Sequence, residues 1–227
     1  MDLVRKIMNN YKLLFILFLS SILFSFNSCK NNNEITNSTL QHYLLTLQPD
    51  SIKGKDALIS YYSPNTNFGN HISMHPDCWT IGGNLDIIRG LIQFDLSSLP
   101  TGVSIDSAFL CFYFALDPLF SRTEHQGENY MLLQRIIEPW QENTVTWSNQ
   151  PNVDVNHTVW INKFIDPRQD YTNIDVTNLV RDIIANNKNY GFMLRLSDET
   201  PYKITLIASS DNPDSSKHPK LVVYYTK

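Results

Sequence analysis

Three cysteines in a chain of 227 residues are too few for the disulfide framework that stands in for a core in small secreted domains. Also missing are a Gly-x-Ser-x-Gly nucleophile elbow, a His-Glu-x-x-His zinc helix, a phosphate-cradling glycine loop and the acidic spacing of an EF-hand. None of the short signatures of esterases, zinc proteases, nucleotide hydrolases or calcium sensors therefore applies. Basic residues are in the minority and the formal charge is −4, so nucleic acid is not an expected partner. No apolar run reaches the ~20 residues that a membrane-spanning helix needs.

The apolar run that is present, Leu13 to Ser28, follows Arg5, Lys6 and Lys12 and ends at Cys29. A basic start, an apolar middle and a small residue at the end describe a bacterial export signal over residues 1–28. Cys29 directly after Ser28 resembles a lipobox, at which the cysteine keeps acyl chains after cleavage, although Phe26 and Asn27 depart from that motif. The expectation is an exported protein of the cell envelope, lipid-anchored through Cys29 to the outer membrane or cell surface and touching membrane through that anchor only. Residues 29–41 are rich in Asn, Ser and Thr and read as a flexible tether. Residues 42–227 read as one folded domain. Within it, Cys78 and Cys111 either form a disulfide in an oxidising compartment or remain two buried thiols.

The folded part reads as all-β. Ile92, Phe94 and Leu96 alternate with Gln93 and Asp95, Pro100-Thr101-Gly102 breaks the pattern, and Ala108, Leu110, Phe112 and Phe114 resume it. Strand, turn, strand is the reading, with one face of the first strand buried and the second apolar on both faces. Further strands are expected at Asp56–Ser60, Tyr130–Ile137, Thr144–Trp147, Phe192–Leu196, Ile204–Ser209 and Lys220–Tyr225. Leu179, Val180, Ile183 and Ile184 fall at helical spacing and predict one short helix, with Thr177 as its N-cap.

Candidate site residues lie between these strands. Asp56, Asn65 and Asn67 could supply oxygen ligands to a structural Ca2+, or the loop could satisfy itself through Asx turns. His71 and His75 have an i, i+4 spacing, but Gly69 and Pro76 oppose a zinc-binding helix there. Trp79, Trp160 and Tyr202 are aromatics that could stack on sugar rings, whereas Trp140 and Trp147 read as apolar anchors at the sheet edge. Glu124, Glu138 and Glu142 are the carboxylates a glycoside-cleaving enzyme would draw on.

The order of several pieces points to a family. Asp56-Ala57 with Asn65-Thr66-Asn67-Phe68-Gly69, then Arg89 to Pro100, Trp140 to Pro151, Asp175-Val176-Thr177, Gly191-Phe192, Ala208-Ser209-Ser210-Asp211 and His218-Pro219-Lys220-Leu221 together resemble the DNRLRE, or disaggregatase-related, domain. The resemblance runs from Asp56 to Tyr225. It implies a single jelly-roll β-sandwich and a carbohydrate-binding-module role toward polysaccharides, uronic-acid polymers such as alginate among them. Arg135 and Arg195, with Arg122 and Lys203, would then have to gather on one face to hold an acidic glycan. The expected function is a non-catalytic, surface-anchored polysaccharide-binding lipoprotein. A structural or adhesive envelope protein that binds another protein, and a polysaccharide-degrading enzyme, are the alternatives.

Overall fold

The structure, a computed structural model, describes residues 40–118 and 120–227. The export signal, Cys29 and most of the tether lie outside the described residues, of which 40–227 form one compact unit. Eleven strands and one α-helix are present among them: β1 (His42–Leu47), β2 (Asp56–Ser60), β3 (Asp77–Ile81), β4 (Asn84–Ile92), β5 (Ser104–Phe112), β6 (Met131–Ile136), β7 (Val153–Ile161), β8 (Tyr171–Asp175), α1 (Thr177–Asn186), β9 (Phe192–Leu196), β10 (Lys203–Ile204) and β11 (Lys220–Thr226). One sheet has the order β1-β11-β5-β8 and the other β10-β3-β4-β9-β6-β7, with β2 also paired to β4. All pairings are antiparallel.

The two sheets share one core. Ile105, Leu110, Phe112, Leu221 and Val223 of the first meet Ile92, Met131, Leu133, Phe192 and Leu194 of the second, and α1 adds Leu179, Val180 and Ile183. Consecutive strands pass repeatedly between layers, as in a jelly-roll sandwich. A smaller cluster of Ala57, Ile59, Leu91, Ile136, Trp140, Val145 and Met193 holds the 137–152 loop against the larger sheet. Cys78 and Cys111 are buried free thiols.

Several local expectations change. Phe94 and Leu96 are buried as the alternation requires, but β4 stops at Ile92. Thr144–Trp147 is no strand: Asn149 Oδ1 accepts from Thr146 N (2.6 Å) and closes a 3-10 turn at Trp147–Asn149. Thr177 is the first helical residue rather than the cap. Asp175 Oδ1 accepts from its backbone N (2.9 Å), and the Thr177 hydroxyl accepts from Ala108 N (2.9 Å), tying α1 to β5. The strand expected over Ile204–Ser209 shrinks to β10, with isolated bridges from Ile207 and Ala208.

Candidate functional site

β3 and β4 form a hairpin whose turn, Gly82-Gly83, has φ of +57° and +85°, a primed turn that residues with a Cβ rarely adopt. The register sets Asp77 opposite Ile88 and Trp79 opposite Asp86. On the far side of β3 the chain returns through Tyr202, whose N donates to Cys78 O (2.8 Å) before Lys203 pairs with Cys78. That return sets the Tyr202 ring edge-on to Trp79, with centroids 5.1 Å apart. Tyr202 remains 59% exposed. From the β5–β6 connection, Arg122 lays its guanidinium 3.8 Å from the Trp79 ring centroid, where it is attracted to the π face. Trp79 and Arg122 border a cleft of about 290 Å³ lined also by Asp77, Thr80, Asp86 and Ser121 among others, at the small end for a ligand site; Tyr202 stands beside it, against Trp79.

The two carboxylates of the cleft differ. Asp86 Oδ1 accepts from Ser60 Oγ (2.8 Å) and from Tyr62 N (3.0 Å). Asp77 is 3% exposed and its Oδ1 has no hydrogen-bond partner. Burial pushes the Asp77 carboxyl up to about 7; Asp86 raises it further and Arg122 opposes the rise. An aromatic pair, a guanidinium and an unused buried acceptor thus converge, which is the combination that holds a sugar ring by its C–H face and its hydroxyls.

Beneath the cleft is a polar network that resembles a hydrolytic triad only in composition. The Ser73 hydroxyl donates to Asp117 Oδ2 (2.5 Å) and lies 2.8 Å from His75 Nδ1, with His71 Nδ1 at 3.1 Å. In a triad the imidazole stands between serine and carboxylate; here the hydroxyl stands between, and Ser73, His75 and Asp117 are all buried. Burial lowers His75 to about 3, so it is neutral. Its ring packs edge-on against Phe120, centroids 4.6 Å apart, and Phe120 lines the cleft. The network braces the cleft.

The other predicted residues are dispersed. Trp160 on β7 is 57% exposed and tilts against Tyr130. Leu132 of β6 lies opposite both Trp160 and Arg195 of β9, so those two share one face with Leu132 between them. Arg195 Nε donates to Gln134 Oε1 (3.2 Å), and Arg135 pairs with Asp154 (3.0 Å). Neither arginine lines the Trp79 cleft, where Arg122 is the guanidinium instead. Trp140 and Trp147 are anchors: Trp140 is buried and donates to Tyr190 O (2.9 Å), and Trp147 packs against the same small cluster. Glu124 is exposed and Glu138 binds Asn152.

The expected calcium ligands are rearranged. Asn65 is exposed. Asn67 spends its amide on backbone, donating to Glu142 O and Val145 O (both 2.7 Å) and accepting from Gly69 N (3.3 Å), the Asx turn that was the alternative. Asp56 lies instead with Glu142 and Asp211.

Residues 48–225 match the family model of carbohydrate-binding module family 96. The chain belongs to that family. The family 96 match begins just after β1, runs into β11 and contains the Asp56–Tyr225 stretch on which the sequence resemblance rested. It makes the domain a carbohydrate-binding module, a non-catalytic class. No curated protein matches the chain.

Proposed function

We propose that the protein binds polysaccharide at the Trp79 cleft without cleaving it. The observation that carries this reading is that Trp79, Arg122 and Asp77 line one cleft, with the exposed Tyr202 ring set against Trp79 at its side. A pyranose ring would lie against the exposed Tyr202 ring, which Trp79 braces, and direct its hydroxyls toward the polar lining of the cleft. A uronic-acid residue would place its carboxylate at Arg122. Retardation in native gels containing neutral or uronic-acid polysaccharides tests the reading. The wild-type protein is expected to be retarded by at least one polymer, and Trp79→Ala to run freely. No retardation by any polymer, or equal retardation of the variant, would sink it.

In the same reading Cys29 carries acyl chains that hold the protein at the cell envelope, supported by the apolar run that ends at Ser28-Cys29. The protein is expected in the detergent phase on Triton X-114 partition, and Cys29→Ala in the aqueous phase. Identical partition of the two rules the anchor out.

A further inference from the structure

None of the residues that line the Trp79 cleft belongs to a second group of oxygen donors. Asp56, Glu142 and Asp211 come from three distant parts of the chain and place one carboxylate oxygen each within 4.8 Å of one another. Asp56 is 1% exposed. Its Oδ2 accepts from Ser210 N (2.9 Å), its backbone N donates to Glu142 Oε1 (2.9 Å), and its Oδ1 is buried with no hydrogen-bond partner. The hydroxyl of Ser210, the neighbour of Asp211, is also buried; it makes no well-formed hydrogen bond, and it faces the Asp56 carboxylate, where it opposes the rise that burial causes.

We propose that Asp56, Glu142 and Asp211 bind a calcium ion, with the Ser210 hydroxyl and water completing the shell. The donor set is all oxygen, which selects a hard cation and disfavours zinc or copper. Three oxygens about 2.4 Å from one ion lie no more than about 4.8 Å apart, a limit that these three meet. Magnesium sheds its water reluctantly and is seldom held by an all-protein cage. Burial raises all three carboxyls, and Asp211 pushes both Asp56 and Glu142 up further. Lys55 lowers Glu142, and His218 and His71 lower Asp211, without overcoming burial; the Lys55 Nζ itself turns to Gln93 Oε1 (2.8 Å) and the Trp140 ring (4.6 Å).

The ion would fasten β2, at its first residue, to the 137–152 loop and to the loop after residue 208. Gly69 shows how closely that seat is built, since a Cβ there would come within 2.3 Å of Glu142 O. The site is independent of glycan binding.

The test uses the purified full-length chain, stripped with EDTA and then titrated with Tb3+ or Ca2+ alone. Protein-sensitised Tb3+ luminescence is expected to saturate at one ion per chain and to be displaced by Ca2+. At about 5 mM Ca2+, above the roughly 0.1–1 mM dissociation constants of extracellular calcium modules, Tm should rise by roughly 5 °C or more over the EDTA form. Asp211→Asn and Glu142→Gln, both at half-buried positions, are expected to weaken Ca2+ binding at least about tenfold and to lose that rise. Absence of any calcium-dependent shift in the wild-type protein overturns the proposal without recourse to variants. So does a shift retained by both variants.

Discussion

Asp56 and Asp77 occupy matching places and have different neighbours. Each is the first residue of a strand paired to β4, opposite Ile92 and Ile88 respectively. Each is buried, keeps an unpartnered Oδ1 and has its carboxyl raised to about 7, chiefly by burial. Around Asp56 stand two more carboxylates; around Asp77 stand Asp86, a guanidinium and an aromatic pair. A buried acid alone says only that something is to be bound. Its neighbours say what: further anions call for a cation, and aromatics with mixed charge call for a polar ring.

Titration carries the largest expected effect, and because Asp56 is raised to the same value, a substitution is needed to tell the two acids apart. In EDTA-containing buffer, Asp77 favours the folded state while protonated, because its folded value near 7 exceeds the unfolded value near 4. That contribution is complete below pH ~4 and is lost as pH rises toward ~7, amounting to at most about 4 kcal/mol. Denaturant midpoints of the wild-type protein should therefore fall across that window, and Asp77→Asn should flatten the fall. A variant curve parallel to the wild type would show that Asp77 is already ionised in the fold.

Next in size is a crossed pair of substitutions. Trp79→Ala is expected to cost about 2 kcal/mol of glycan affinity, the level of a binding hot spot, while leaving the calcium-induced rise in Tm intact. Asp211→Asn should do the reverse. Calorimetric titration together with thermal melts reads both, and any variant that loses both properties breaks the division. Arg122→Ala removes a cation–π contact and the guanidinium of the cleft. Its expected cost is about 1 kcal/mol on a neutral glycan and more on a uronic-acid polymer, measured by the same titrations. Smallest is Trp160→Ala, which should change affinity less than about twofold although the ring is as exposed as Tyr202; a loss comparable to that of Trp79→Ala would move the binding face to β7.

Much of the sandwich could be read from alternation, since Phe94, Leu96, Leu110 and Phe112 are all buried as their periodicity demands. β3 could not, and the reason is the site itself. Asp77 and Asp86 stand where an apolar residue would have completed the pattern, so the carboxylates that make the cleft also disguise the hairpin that carries it. Gly82-Gly83 was the signal that could have revealed it. β7 was hidden differently, by a run of largely exposed polar residues, Asp154 to Thr158, with no buried face to mark it. Tyr202 is exposed as expected and Trp79 is half-buried, and the two could not be read as partners because 123 positions separate them and the β3–β10 pairing joins them. The oxygen donors show the same limit. Asn67 lies beside Asp56 in the early part of the chain yet turns its amide to backbone carbonyls, whereas Glu142 and Asp211 reach Asp56 from far along it.

β11 runs between β1 and β5 and supplies the ladder on both of its edges. The last strand in synthesis order is therefore the middle of the four-stranded layer. Until Lys220–Thr226 is available, β1 has no neighbour and one edge of β5 is bare, so this sheet assembles only after the chain is essentially complete. The larger sheet, which contains neither β1 nor β11, is free of that delay, and a product truncated before β11 would be left with open strand edges of the kind that aggregate.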